Sequence, residues 1–84
     1  MLNDPVYVEA ARALAARILR DQPDGEVDAR LRHGFRLAVA RPPRDAELAV
    51  LRKLYADESA NGASAAWFAV ASALLNLDET ITKS

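Results

Sequence analysis

Apolar residues recur along the chain at the three- and four-residue intervals of an α-helix, in four blocks separated by turn-forming residues. In the first block Tyr7, Ala11, Leu14 and Ile18 share one stripe, flanked by Val8, Ala15 and Leu19. Glu9, Arg12, Ala16 and Arg20 fall opposite. Pro5 suits the first helical position, where its missing N–H is not needed, and Asn3 or Asp4 can accept from the free amides. The spacing predicts a helix over 5–20, ending near Asp21 before the turn Gln22-Pro23-Asp24-Gly25.

The second block predicts a helix over 26–40, preceded by Asp24 or Gly25. Glu26 and Asp28 in its first turn complement the helix dipole. Val27, Leu31, Phe35 and Ala38 form its stripe, with Val39 beside it and Leu37 off it, so the helix meets apolar surface on two sides. Gly34 costs about 1 kcal/mol against alanine mid-helix, which points to a close neighbour there, a second helix or a ring such as Trp67. A residue before proline is pushed out of helical geometry, so Arg41-Pro42-Pro43 places the break at Arg41.

Leu48, Leu51, Leu54 and Tyr55 predict a third helix over 45–58, stopped by Ser59-Ala60-Asn61-Gly62, where Asn61 or Gly62 suits left-handed geometry. The fourth helix is predicted over 63–78, with Trp67, Val70, Ala71, Leu74 and Leu77 on its face, widened by Phe68 and Leu75. So wide an apolar face marks the central helix, or one that also meets a partner. A short tail follows. No alternating strand pattern competes, and the short connections favour antiparallel neighbours. The expected fold is all-α, a compact four-helix domain spanning 1–84.

Composition narrows the classes of function. With 84 residues the chain makes one domain with one modest core. Net charge is −1, so no overall attraction to nucleic acid or acidic membranes is expected. The charge is uneven: Arg30, Arg32, Arg36, Arg41, Arg44, Arg52 and Lys53 crowd the middle, and both ends are acidic. A self-neutralising surface accounts for that arrangement. There is no cysteine, which excludes disulfides, thiolate catalysis and cysteine-type zinc sites. No apolar run approaches the roughly 18–20 residues of a membrane span, and the acidic, proline-bearing start does not read as a secretory signal.

Candidate chemistry is sparse. The single histidine, His33, lies between Arg32 and Gly34 on a polar face with no carboxylate near it in sequence, and reads as a surface residue. Ser59, Ser64, Ser72 and Ser84 lie in no nucleophile motif. Asp24-Gly25-Glu26-Val27-Asp28 lacks the remaining ligand positions of a calcium loop and reads as helix-start charge compensation. Arg32 and Arg36 share a helix face, and helix two, corner and helix three superficially resemble a helix-turn-helix, with Arg44, Arg52 and Lys53 as phosphate contacts. The turn carries two prolines instead of glycine, and the would-be recognition helix lacks Asn and Gln. Asp78 and Glu79 oppose the dipole at the end of helix four. A structural ion pair between Asp78 and Arg41 or Arg36 is the expectation for that carboxylate. No catalytic, metal or cofactor-binding residue is assigned, and no cofactor is expected.

Leu2-Asn3-Asp4-Pro5, Glu9-Ala10-Ala11-Arg12, Phe35-Arg36-Leu37 with Arg41-Pro42-Pro43, Glu47-Leu48, Trp67 and Leu74-Leu75-Asn76-Leu77-Asp78-Glu79 together resemble the C-terminal segment of a planctomycete-type domain of unknown function. The resemblance implies a large, multidomain and often exported parent that often carries a planctomycete cytochrome-c-like domain upstream; the haem motif of that partner is absent here. Two positions depart from the family pattern. Arg44 stands where Thr or Ser caps the third helix with Glu47 as a capping box; arginine cannot act as that cap, so Asp45 is expected to take it over and shift the helix start by one. Thr80 stands where an aromatic follows Asp-Glu. The family has no established activity to carry over.

The resulting expectation is a non-catalytic structural or protein-interaction module, the C-terminal piece of a larger protein. It would pack on other domains of its parent or on a protein partner through helix one or the wide face of helix four, with a weak homodimer as a further form. The alternative is a nucleic-acid-binding helical domain using Arg32, Arg36, Arg44, Arg52 and Lys53.

Overall fold

A computed structural model describes residues 5–83, with side chains as far as Leu77. Among these residues the chain forms α1 (Pro5–Asp21), α2 (Val27–Val39), α3 (Asp45–Glu58), a 3-10 turn (Ser59–Asn61) and α4 (Ala63–Lys83). No strand occurs among the described residues. The all-α four-helix architecture follows from the apolar stripes. Each helix presents a face it cannot leave in water, and the short connections bring those faces onto one core.

α4 packs against each of the other three helices. That is what its wide apolar face predicts. Trp67, Val70 and Leu74 of α4 meet Ile18 of α1, Leu31 and Phe35 of α2, and Leu48 and Leu51 of α3, all at most 5% exposed. Each such side chain contributes roughly 1.5–3 kcal/mol by leaving water. Ala11, Ala66 and Ala71 are fully buried, and their small side chains let the helix backbones approach. Tyr55 tilts against Trp67 with ring centroids 4.8 Å apart, and the Tyr7 hydroxyl donates to the Ser72 carbonyl at 2.6 Å, fastening α1 to α4. Leu37 packs against the core from off the main α2 stripe, as its position implied.

Gly34 is buried at a close crossing. A Cβ there would lie 2.6 Å from Ile18 Cδ1 and 3.2 Å from Leu74 Cδ1. The close neighbour is therefore Ile18, with Leu74 behind it, and not the Trp67 ring. Gly62 ends the 3-10 turn at φ 106° and ψ 159°, a region open essentially to glycine alone.

Several boundaries differ from the sequence pattern. α1 runs one residue past 20. α2 is one residue shorter at each end: Glu26 is extended and precedes the helix without a side-chain cap bond. The break after α2 falls at Ala40, one residue before Arg41. Ala40 turns left-handed (φ 64°, ψ 26°) and donates its N–H to the Arg36 carbonyl at 2.9 Å. The helix has thus already ended when the proline restriction on Arg41 applies. α4 continues to Lys83 instead of stopping near Leu77 or Asp78, because no glycine or proline interrupts the backbone there. The expected caps Asn3 and Asp4 lie outside the described residues.

Candidate interaction surface

The basic middle segment sorts into distinct pairings. Arg41, at the diproline corner, donates from Nη1 to Glu47 Oε1 at 2.9 Å and from Nη2 to Oε2 at 2.8 Å. Its guanidinium also lies 5.0 Å from the centroid of the Phe35 ring. Glu47 Oε1 accepts a third bond, from the Arg44 backbone N–H at 2.8 Å. The Arg41 bonds, then the Arg44 amide, hold the Glu47 carboxyl down at about 2, and Glu47 in turn raises the Arg41 pKa. Arg44 occupies the cap position in extended geometry (φ −78°, ψ 163°) and α3 starts at Asp45. Asp45 therefore does not take over the cap. Half of the capping box survives: Glu47 reaches back to the Arg44 amide, but an arginine side chain has no acceptor to return the bond.

Arg30 closes the α1–α2 turn. Its Nε donates to the Gln22 carbonyl at 2.8 Å and its Nη2 to the Pro23 carbonyl at 2.7 Å, with the guanidinium 5.9 Å from the Trp67 ring centroid. Arg52 of α3 grips Asp28 of α2 through two hydrogen bonds, one of them Nε to Oδ1 at 2.8 Å, and these lower the Asp28 pKa. Lys53 reaches Asp57 at 3.3 Å. Arg52 and Lys53 thus have carboxylate partners on the surface of the same chain. Arg32, Arg36 and Arg44 remain exposed.

His33 is not the isolated surface histidine its sequence neighbours imply. Its Nε2 lies 2.9 Å from Asp21 Oδ2, and Arg17 approaches the same oxygen at 3.4 Å. The His33 contact, then Arg17, lowers the Asp21 pKa. The two residues lie twelve apart on either side of a turn, a separation no local motif flags. Of the expected pair between Asp78 and Arg41 or Arg36, Arg41 is engaged by Glu47 and Arg36 is exposed, and the Asp78 side chain lies outside the described residues. Among the described residues no group of three or more His, Cys, Asp or Glu side chains is placed to hold a metal. None of the described helices is long and apolar enough to cross a membrane.

Among the described residues, a groove of about 490 Å³ opens between the second half of α1 and the start of α4. Ala15, Ala16 and Leu19 form one wall and Ala65, Trp67 and Phe68 the other, with Arg12 and Ser64 also lining it. Alanines at 15, 16 and 65 leave the walls low, so the edge of the otherwise buried Trp67 forms part of the lining. The sequence carried part of this signal: Phe68 widens the α4 face, and Ala16 interrupts the polar side of α1. The depression itself depends on how the two helices cross, which neither stripe encodes.

The family model described as PSD1, protein of unknown function (DUF1553), matches residues 1–55, a stretch covering α1, α2 and most of α3. The expected resemblance to a domain of unknown function is met there, and the Leu74–Glu79 motif lies beyond the matched residues. No curated protein and no solved structure matches the chain significantly.

Proposed function

The chain belongs to the PSD1 family (DUF1553), and on that premise we propose that it is a non-catalytic helical module that packs against a protein surface as part of a larger, exported protein. The α1–α4 groove is the observation that carries this reading. It is a concave, mostly apolar surface whose walls are side chains of two helices, and it fits the packing of another polypeptide better than the positioning of a small polar substrate. The resemblance to a piece of large multidomain proteins supports placing the partner surface in another domain.

Binding of an apolar, environment-sensitive dye to the native fold tests the reading. The native chain binds the dye, and Ala16→Trp or Ala65→Trp, which fill the groove, remove most of the signal while the far-UV circular dichroism stays helical. Dye binding that survives both substitutions, or a native chain that binds none, contradicts it.

A further inference from the structure

The groove walls have a one-sided charge pattern. From Ala10 to Arg20 of α1 the charged residues are Arg12, Arg17 and Arg20, and from Gly62 to Leu77 there are none. No acidic residue stands on either wall, although the protein as a whole is slightly acidic. Arg17 is occupied with Asp21. Arg12 lines the groove and has no carboxylate within ion-pair distance among the described residues. Arg20 lies about two helical turns further along α1, just past Leu19 and outside the groove lining. It is 74% exposed, and its approach to Asp21 is long, at 3.9 Å, to a carboxylate His33 already holds. Arg12 is therefore the cation on the lining of the trough, and Arg20, next to Leu19 in the chain and held by one long contact to Asp21, is a second cation beyond that lining.

We propose that the groove docks an acidic amphipathic helix of a neighbouring protein domain. A row of apolar side chains would lie in the trough against Leu19, Trp67 and Phe68, and flanking Asp or Glu residues would meet Arg12 and Arg20. Helix-in-groove docking needs an apolar floor and a charge-matched rim, and both are present here. Two copies joined groove to groove would bring their arginines together with no acid on either wall, so a second copy of this chain fits poorly. The proposal rests on the interaction-module reading and adds the chemistry of the partner.

The test titrates the full chain with a designed 18-residue helix carrying leucines on one face and glutamates along both flanks, and with the same helix carrying lysines instead. Trp67, the single tryptophan, reports binding by its fluorescence. The glutamate helix is expected to bind about tenfold more tightly, a preference that shrinks in high salt because the pairs and clashes are exposed and screened. Arg12→Glu with Arg20→Glu is expected to invert the preference without changing the melting temperature appreciably. Equal affinities, a lysine preference in the native chain, or a double variant that keeps the glutamate preference overturns the proposal. Failure of both helices to bind while the dye still enters the groove overturns the acidic-helix assignment and leaves the module reading standing. Loss of dye binding as well removes both. Concentration-dependent dimerisation abolished by Ala16→Trp assigns the groove to a second copy and also overturns it.

Discussion

Arg41 and Glu47 face each other across the diproline corner with two parallel hydrogen bonds of 2.9 and 2.8 Å. One residue leaves α2 and the other lies in the first turn of α3, so the bonds fix how the two helices meet. The Glu47 carboxyl is held near 2, below its ordinary 4.5, because Arg41 and the Arg44 amide both favour its charged form. A depressed carboxylate stabilises the fold above its unfolded pKa, and that stabilisation is lost as pH falls through the folded value. Native stability is therefore expected to fall between about pH 4.5 and 2, and Glu47→Gln to be less stable than the native chain at neutral pH. Asp21 and Asp28 act in the same direction, so the native-minus-variant difference in melting temperature is the informative quantity. It should shrink towards zero near the acid end; a difference independent of pH argues against the corner pairing.

Gly34→Ala places a methyl against Ile18 Cδ1 in the buried core. Overpacking costs about 1–3 kcal/mol, and alanine returns at most about 1 kcal/mol of helix propensity. The variant is expected to lose about 1 kcal/mol on balance. Ile18→Val, which removes the clashing carbon, costs about 0.5–1.5 kcal/mol by itself, and the two changes together should cost clearly less than their sum. Additive losses in a double-mutant cycle by urea denaturation contradict the crossing described.

Ala40→Gly addresses the left-handed residue that ends α2. Left-handed geometry costs an alanine about 1–2 kcal/mol that glycine avoids, and glycine gives back part of this through its freer unfolded chain. A gain of about 1 kcal/mol is expected, which raises the melting temperature by roughly 4–8 °C in a domain of this size. An unchanged or lower midpoint contradicts the αL assignment.

The alternative reading as a nucleic-acid binder makes a separate prediction. Arg52 and Lys53, two of its five contact residues, are paired with Asp28 and Asp57. Non-specific binders reach dissociation constants of roughly 10⁻⁴–10⁻⁶ M. A gel shift with short duplex DNA at low salt should show no complex at roughly 10 µM protein. A shift that fades steeply with salt favours the alternative.

Sequence periodicity revealed the four helices because each buries a continuous stripe: Ile18, Leu31, Phe35, Trp67 and Leu74 were all on predicted faces and are all buried. Helix ends were less legible. An alanine at position 40 gives no warning that it will turn left-handed, and the absence of a breaker after Leu77 is a weaker signal than its presence would be. The pairings of Arg41 with Glu47, Arg52 with Asp28 and His33 with Asp21 join residues on different elements, so composition displayed the charges without their partners. The groove is legible least of all, since it is a property of two helices and of the small side chains where they diverge.

The central claim is that α1 and α4 present the working surface of this module. Nuclear magnetic resonance mapping of the isotope-labelled chain, titrated with the glutamate-flanked helix, tests it most directly. The account predicts that the largest amide shifts fall on Ala15, Ala16, Leu19, Ser64, Ala65 and Phe68. Shifts concentrated instead on the exposed Arg32 and Arg36 face of α2, with the α1–α4 amides unmoved, would contradict it.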